Sequence, residues 1–256
     1  MFTITEKPEQ EIKTTLFKDY RILNKDTDYQ NLVSMLNVLS RATATMDAPL
    51  MFHFVSQIDI DLFKTERFIQ KFKECFISEV KLRNRQRQKD NSTLRTRKVV
   101  PNIEMIYSIE SKPSKYNPDE LYNHIHIMVI IDSKHSLYGE IELTKIVNKT
   151  LSRINGLQKI EYERDSVVGV KDDKPNFYGL LKPRDCNSQI KPCDNYEYKS
   201  LFCHNLKTEF LDAVIRASYL CKTTQKELLP DRFKKMNFNV TRIKRNSAND
   251  NELQSA

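Results

Sequence analysis

Between Tyr122 and Asp132 the side chains alternate in a way that predicts a strand, with Ile125, Ile127, Val129 and Ile131 on one face and His124 and His126 on the other. The two imidazoles then stand roughly 7 Å apart on a rigid surface. The preceding stretch alternates as well: Ile103, Met105, Tyr107 and Ile109 share a face, opposite Glu104, Ile106, Ser108 and Glu110. Residues 112–121 contain Pro113, Asn117 and Pro118, a turn signal. The two strands should therefore pair as an antiparallel hairpin, bringing Glu110 close to His124.

Elsewhere the helical period dominates. After Asp26 or Thr27, either a suitable N-cap, Leu32, Met35, Leu36 and Leu39 predict a packing helix. Residues 50–60 are dense in Phe, Val and Ile and predict a strand, and residues 62–82 a helix with Phe68, Phe72, Phe76 and Val80 on one stripe. Leu143, Ile146, Val147, Leu151 and Ile154 mark a helix stopped by Asn155 and Gly156. Short strands are expected within 158–163 and 166–182, a surface loop over 183–199, and a helix over 205–222 that buries Leu206, Phe210, Leu211, Val214, Ile215 and Ser218. This order predicts an α+β fold, a mostly antiparallel central sheet of about five strands flanked by helices, ferredoxin-like or RNA-recognition-motif-like. The expected organisation is an N-terminal helical segment (1–48), the sheet domain (49–228) and a basic, disordered tail (229–256). Helices should cover one face of the sheet and leave the histidine face open.

Composition narrows the function. A net charge of +8 over 256 residues favours a polyanionic partner. No apolar run reaches the roughly 18 residues of a membrane span, and the N-terminus lacks a basic-then-apolar signal, so a cytoplasmic location and no membrane partner are expected. Five cysteines without a CxxC predict reduced thiols, and the absence of GxxxxGK[ST] and GxGxxG excludes a P-loop motor and a Rossmann cofactor site. Between residues 81 and 98 eight basic residues face a single Asp. Such a run serves as a solvated loop or as a surface tracking a nucleic-acid backbone, through Arg83, Arg85, Arg87, Arg95, Arg97 and Lys98.

Two imidazoles with a carboxylate are a natural ligand set for Mn²⁺ or a similar ion, and leave open positions for a phosphate oxygen. Glu110 is the first choice of carboxylate, with Asp59 and Glu104 behind it. A nucleophile is still needed. Tyr219 and Lys222 lie at i and i+3 on the last helix, and a phenol, about a thousandth ionised at pH 7, needs a neighbouring cation to attack phosphorus. Read as structure alone, they are a half-buried tyrosine beside a solvated lysine. Tyr178 is the alternative phenol.

His124-Ile125-His126 on a strand, followed by Tyr219-Leu220-Cys221-Lys222 on a helix, resembles the HUH endonuclease superfamily over about residues 50–226, and most of all the replication initiators of filamentous phages. The resemblance implies site-specific nicking of single-stranded DNA at a replication origin to start rolling-circle replication. Tyr219 would form a 5′-phosphotyrosine, His124 and His126 would hold Mg²⁺ or Mn²⁺, and Lys222 would assist. Position 215 is Ile and 223 is Thr, so the YxxxY of two-tyrosine members is absent and one tyrosine is implied. A host helicase would have to unwind the duplex. The alternative is a non-catalytic nucleic-acid-binding protein, a repressor or RNA-binding module, stacking bases on Tyr107 or Phe54 of the same sheet.

Overall fold

The computed structural model describes residues 14–23, 26–90, 100–114, 117, 119–134, 138–158, 180–181 and 203–242. A short hairpin, β1 (Thr14–Phe17) and β2 (Tyr20–Leu23), leads into helix α1 (Tyr29–Thr45). The cap of α1 is Asp28, one or two residues later than expected, and its carboxylate accepts from the Asn31 amide at 2.8 Å. There follow β3 (Pro49–Ile58), α2 (Phe68–Asp90), β4 (Ile103–Pro113), β5 (Leu121–Asp132), α3 (Glu140–Leu151) and β6 (Leu157–Gln158). Then come β7 (Leu180–Leu181), β8 (His204–Asn205), α4 (Phe210–Ser218) with a 3₁₀ turn over Tyr219–Cys221, α5 (Asp231–Lys234) and β9 (Phe238–Val240).

The fold is α+β, as the patterning predicts. The central strands run in the order β6-β3-β5-β4, all antiparallel, which with α2 and α3 makes a split β-α-β-β-α-β unit. Among the described residues the sheet also takes in β9, which extends it beyond β4, and β7 and β8, which add two-residue pairings along β3. The hairpin register places Glu110 directly opposite His124.

Both faces of the sheet are packed. The Ile125–Ile131 row, with Phe52, Phe54, Met105 and Tyr107, meets the aromatic stripe of α2 and the Leu143/Val147 side of α3. Phe54 and Tyr107 are fully buried there, so neither can stack on a base. The other face, expected to be open, carries Met51, Ile106, Met128 and Ile130 into a second core closed by Met35 and Leu39 of α1 and Val214 and Ala217 of α4. Residues 29–45 are therefore a layer of the domain rather than a segment before it. The tail expectation changes too: Phe233 is a core residue and β9 pairs with β4 as far as Val240. Residues 243–256 lie outside the described residues.

Three other boundaries differ. The helix expected over 62–82 starts six residues later and runs on through the basic stretch to Asp90. Residues 59–67 form turns instead, with the Asp59 carboxylate accepting from the amides of Asp61 and Leu62. The helix expected over 205–222 is confined to 210–218, and Leu211 points to solvent. The strand expected within 158–163 begins at Leu157 and only its first residues are described, and the loop over 183–199 lies outside the described residues. Cys75, Cys203 and Cys221 are buried and in no disulfide.

Gly156 ends α3's exit turn at φ +80°, and a Cβ there would stand 2.3 Å from the Phe63 backbone nitrogen. Gly156→Ala should cost at least about 2 kcal/mol of stability, since it adds backbone strain to a collision that no side chain can relieve. Chemical denaturation of the variant checks this.

Candidate metal and tyrosine site

The site forms where β4, β5 and the turn after α4 meet on the second face. Period-2 alternation puts Glu110, His124 and His126 on that face, and the one-to-one Glu110/His124 register closes the group. His124 Nε2 stands 3.3 Å and His126 Nε2 3.5 Å from the same oxygen, Glu110 Oε2. These contacts are close without the alignment of hydrogen bonds, and both Glu110 oxygens and His126 Nε2 are buried polar atoms with unmet hydrogen-bonding capacity. One ligand atom from each residue lies within 4.8 Å of the others, so the three could hold a metal ion. Converging, desolvated nitrogen and oxygen atoms of this kind suit a divalent cation once each presents a lone pair.

The last turn brings in the other half. Lys222 Nζ lies 2.7 Å from Glu110 Oε2, and donates to the Tyr219 hydroxyl at 2.6 Å and to Gln225 Oε1 at 3.0 Å. The Lys222 side chain is 2% exposed, against the expectation of a solvated lysine. The Tyr219 ring meets the His126 ring edge-on at 5.0 Å between centroids, and the lysine nitrogen is 4.0 Å from the Tyr219 centroid. Tyr219 itself is half-buried. The phenol thus lies on the border between a buried charge cluster and the outside.

What holds this turn is the N-terminal layer. The Asp28 amide donates to the Cys221 carbonyl and the Thr223 amide to the Asp26 carbonyl, each at 2.8 Å, and Thr27 forms a bridge with Lys222. The Leu23 amide donates to Ser218 Oγ at 2.9 Å. Leu23, Asp26, Thr27 and Asp28 therefore clamp both ends of the Tyr219–Cys221 turn.

Charge explains the ionisation states. Burial alone would push the Glu110 carboxyl up, but the close imidazoles of His126 and His124 and the Lys222 ammonium together hold it far below the usual carboxylate range. Burial lowers His126 to about 4 despite Glu110, so its ring is neutral at pH 7 and available in principle as a ligand. Burial also lowers Lys222, with Glu110 opposing.

Two neighbours were not anticipated. His53 on β3 lies on the same face, with Nε2 3.1 Å from His126 Nδ1, and Arg216 Nε donates to His53 Nδ1 at 2.9 Å. Burial and the Arg216 charge hold His53 well below the ordinary histidine range. A fourth histidine, His204 on β8, is buried opposite Met51. Alternation along 49–58 does put His53 on the face of Met51 and Gln57, but only the pairing of β3 with β5 shows which histidine it meets.

The remaining candidates fall elsewhere. Glu104 is taken by Arg41 in a bidentate pair at 2.9 and 3.0 Å, and Asp59 belongs to its turn. Arg83, Arg85 and Arg87 lie on α2, a helix where a loop was one expectation, against the opposite face of the sheet. Arg83 is bound to Glu79 at 3.0 Å and Glu142 at 2.9 Å, and Arg87 lies 4.6 Å from the Tyr138 ring centroid, so both pack α2 against α3 and its approach. Arg85 is exposed and lines a groove with Lys81, Lys149 and Arg153. Arg95, Arg97, Lys98 and Tyr178 lie outside the described residues. No helix among the described residues is long and apolar enough to cross a membrane.

Compared with protein families, curated proteins and solved structures, the chain matches none.

Lys222→Met should destabilise the fold by about 3–5 kcal/mol, because it strands the Glu110 carboxylate in the interior. Adding Glu110→Gln to that variant should restore part of the loss, since a neutral amide no longer needs the ammonium. Denaturant midpoints of the two single variants and the double variant measure the coupling.

Proposed function

We propose that this protein is a metal-dependent single-stranded DNA endonuclease and strand-transfer enzyme that initiates rolling-circle replication through a 5′-phosphotyrosine. One observation carries the reading: a half-buried tyrosine, a buried lysine and a His-His-Glu ligand set, distant in sequence, converge within hydrogen-bond and ring-contact range. The two motifs that suggested the resemblance to HUH nucleases thus share one site. The net charge of +8 suits a polyanionic substrate.

In this reading Tyr219 Oη gives up its proton to water and attacks the scissile phosphorus, the Tyr–O–P bond forms, and the bond to the 3′ oxygen breaks, that oxygen taking a proton from water to become a free 3′-OH. Lys222, donating to that phenol oxygen, stabilises the negative charge that develops on it as its proton departs. Glu110 holds the ammonium in place and keeps it charged inside the protein. Clamping by Asp26, Thr27 and Asp28 fixes the turn that carries the phenol, so little ordering remains to be done when substrate arrives. Glu110, His124 and His126 would hold the ion, and two imidazoles favour Mn²⁺ over Mg²⁺. When bound, it supplies Lewis-acid activation of the scissile phosphate. Single-stranded DNA at an origin is the proposed substrate, and a host helicase the proposed partner.

The competing reading, a non-catalytic binding module, loses its stacking platform with the burial of Phe54 and Tyr107. Tyr219→Phe distinguishes the two. It keeps the ring against His126 and removes only the attacking oxygen, so DNA binding and stability should persist while the denaturation-resistant protein–DNA adduct formed with Mn²⁺ disappears. An adduct at the unsubstituted rate, or one mapped by peptide sequencing to Tyr178, would show that Tyr219 is not the nucleophile. His124→Ala and His126→Ala should also abolish cleavage, but each leaves a gap in a buried cluster, so their metal affinity must be measured on protein shown to be folded.

The groove between α2 and α3 gives a separate expectation. Replacing Arg85, Lys149 and Arg153 by Gln should flatten the salt dependence of DNA binding by roughly 0.7 log units per lost phosphate contact. Arg83→Gln should instead reduce stability, because Arg83 already joins Glu79 to Glu142. An unchanged salt slope in the triple variant would remove the groove from the DNA path.

A further inference from the structure

The hydrogen bonds behind His126 run in one direction, and that direction bears on whether the ring can accept a cation; the inference rests on the metal-site reading above. Arg216 Nε donates to His53 Nδ1 at 2.9 Å. A guanidinium can only donate, so Nδ1 keeps its lone pair and the proton of neutral His53 is on Nε2. That Nε2 lies 3.1 Å from His126 Nδ1, which is then the acceptor. The proton of neutral His126 is thereby placed on Nε2, the nitrogen that faces Glu110 at 3.5 Å. A protonated ring nitrogen has no lone pair for an ion. Metal-bound histidines ordinarily have the opposite arrangement, donating outward from the far nitrogen.

We propose that Arg216 and His53 form a latch that holds His126 in the tautomer unable to ligate through Nε2, and that withdrawal of Arg216 onto a phosphate of the substrate strand opens it. With Arg216 gone, His53 carries its proton on Nδ1 and presents the Nε2 lone pair. His126 then donates from Nδ1 and frees its own Nε2. Each ring holds one proton before and after, exchanged through water, so the switch needs no change in net charge. Arg216 is half-buried and lies three residues before Tyr219, on the same side of α4 and its 3₁₀ extension. A phosphate offered to the phenol therefore comes within reach of the guanidinium. Metal loading and substrate binding would then favour one another.

The test uses the full chain carrying Tyr219→Phe, so that nothing is cleaved, with ¹⁵N-labelled histidine. Long-range ¹⁵N–¹H spectra without metal should show His126 protonated on Nε2. Protonation should move to Nδ1 in Arg216→Met, and also on adding a saturating single-stranded oligonucleotide to the Arg216 protein. Calorimetry with Mn²⁺ alone should find Arg216→Met binding about tenfold more tightly, the equivalent of one hydrogen bond that no longer has to be broken. Arg216→Leu replaces the Met variant if that one does not fold. An Nδ1-protonated His126 in the starting protein, or Mn²⁺ affinity unchanged or weakened on removing Arg216, overturns the latch. A tautomer that stays on Nε2 with oligonucleotide bound overturns its release by substrate. Should the tautomers shift as expected while no variant binds Mn²⁺, the metal-site reading fails and the latch does not.

Discussion

A carboxylate taken out of water costs several kcal/mol unless cations and donors surround it, and Glu110 is fully buried in the middle of a sheet. Its compensation comes from three places in the chain: two imidazoles on the neighbouring strand and an ammonium from a turn more than a hundred residues later. The Lys222 side chain is nearly as deeply buried as the carboxylate it meets, so neither charge is tolerable without the other. Electrostatics thus ties the turn after α4 to the hairpin as firmly as apolar packing does.

That tie determines how the domain is layered. A sheet with one solvated face would leave the histidines hydrated and Lys222 free to swing. Here α1 and α4 close the second face, and Asp26 and Asp28 hold the turn from outside. The N-terminal layer is consequently part of the site's construction. It also leaves Tyr219 as the cluster's member nearest to solvent, an arrangement suited to a nucleophile that must meet a bulky polymer while the groups that activate it remain dry. The separation of the basic end of α2 from this site, across the full thickness of the sheet, has a comparable logic: Arg83 and Arg87 spend their charge on packing, and the groove cations lie on a different surface.

Much of this was legible in the sequence. Period-2 alternation was enough to put Ile125–Ile131 in a core and His124 and His126 together on the other face, and the proline-rich turn between two such strands was enough to bring Glu110 to His124. Local pattern suffices there because a hairpin's register is decided by residues close in sequence. The stripe of Phe72, Phe76 and Val80 likewise announced a packed helix, although not where it began: Asp59 diverts the chain into turns first, and the basic residues to Asp90 continue a helix that their charge had disguised as loop.

Other features depended on tertiary contact. Nothing local distinguishes a lysine on a helix end that will be solvated from one that will be buried against a carboxylate, so the environment of Lys222 emerges only when the turn is clamped onto the sheet. The same holds for His53 and Arg216, ordinary residues of a strand and a helix until β3 pairs with β5 and α4 crosses above them. The sequence by itself determined which side chains share a face, because that follows from the two-residue repeat of a strand. Which faces are covered, and which distant charges must neutralise one another there, was decided by the folded chain, since burial and long-range pairing are properties of the assembled layers and not of any segment.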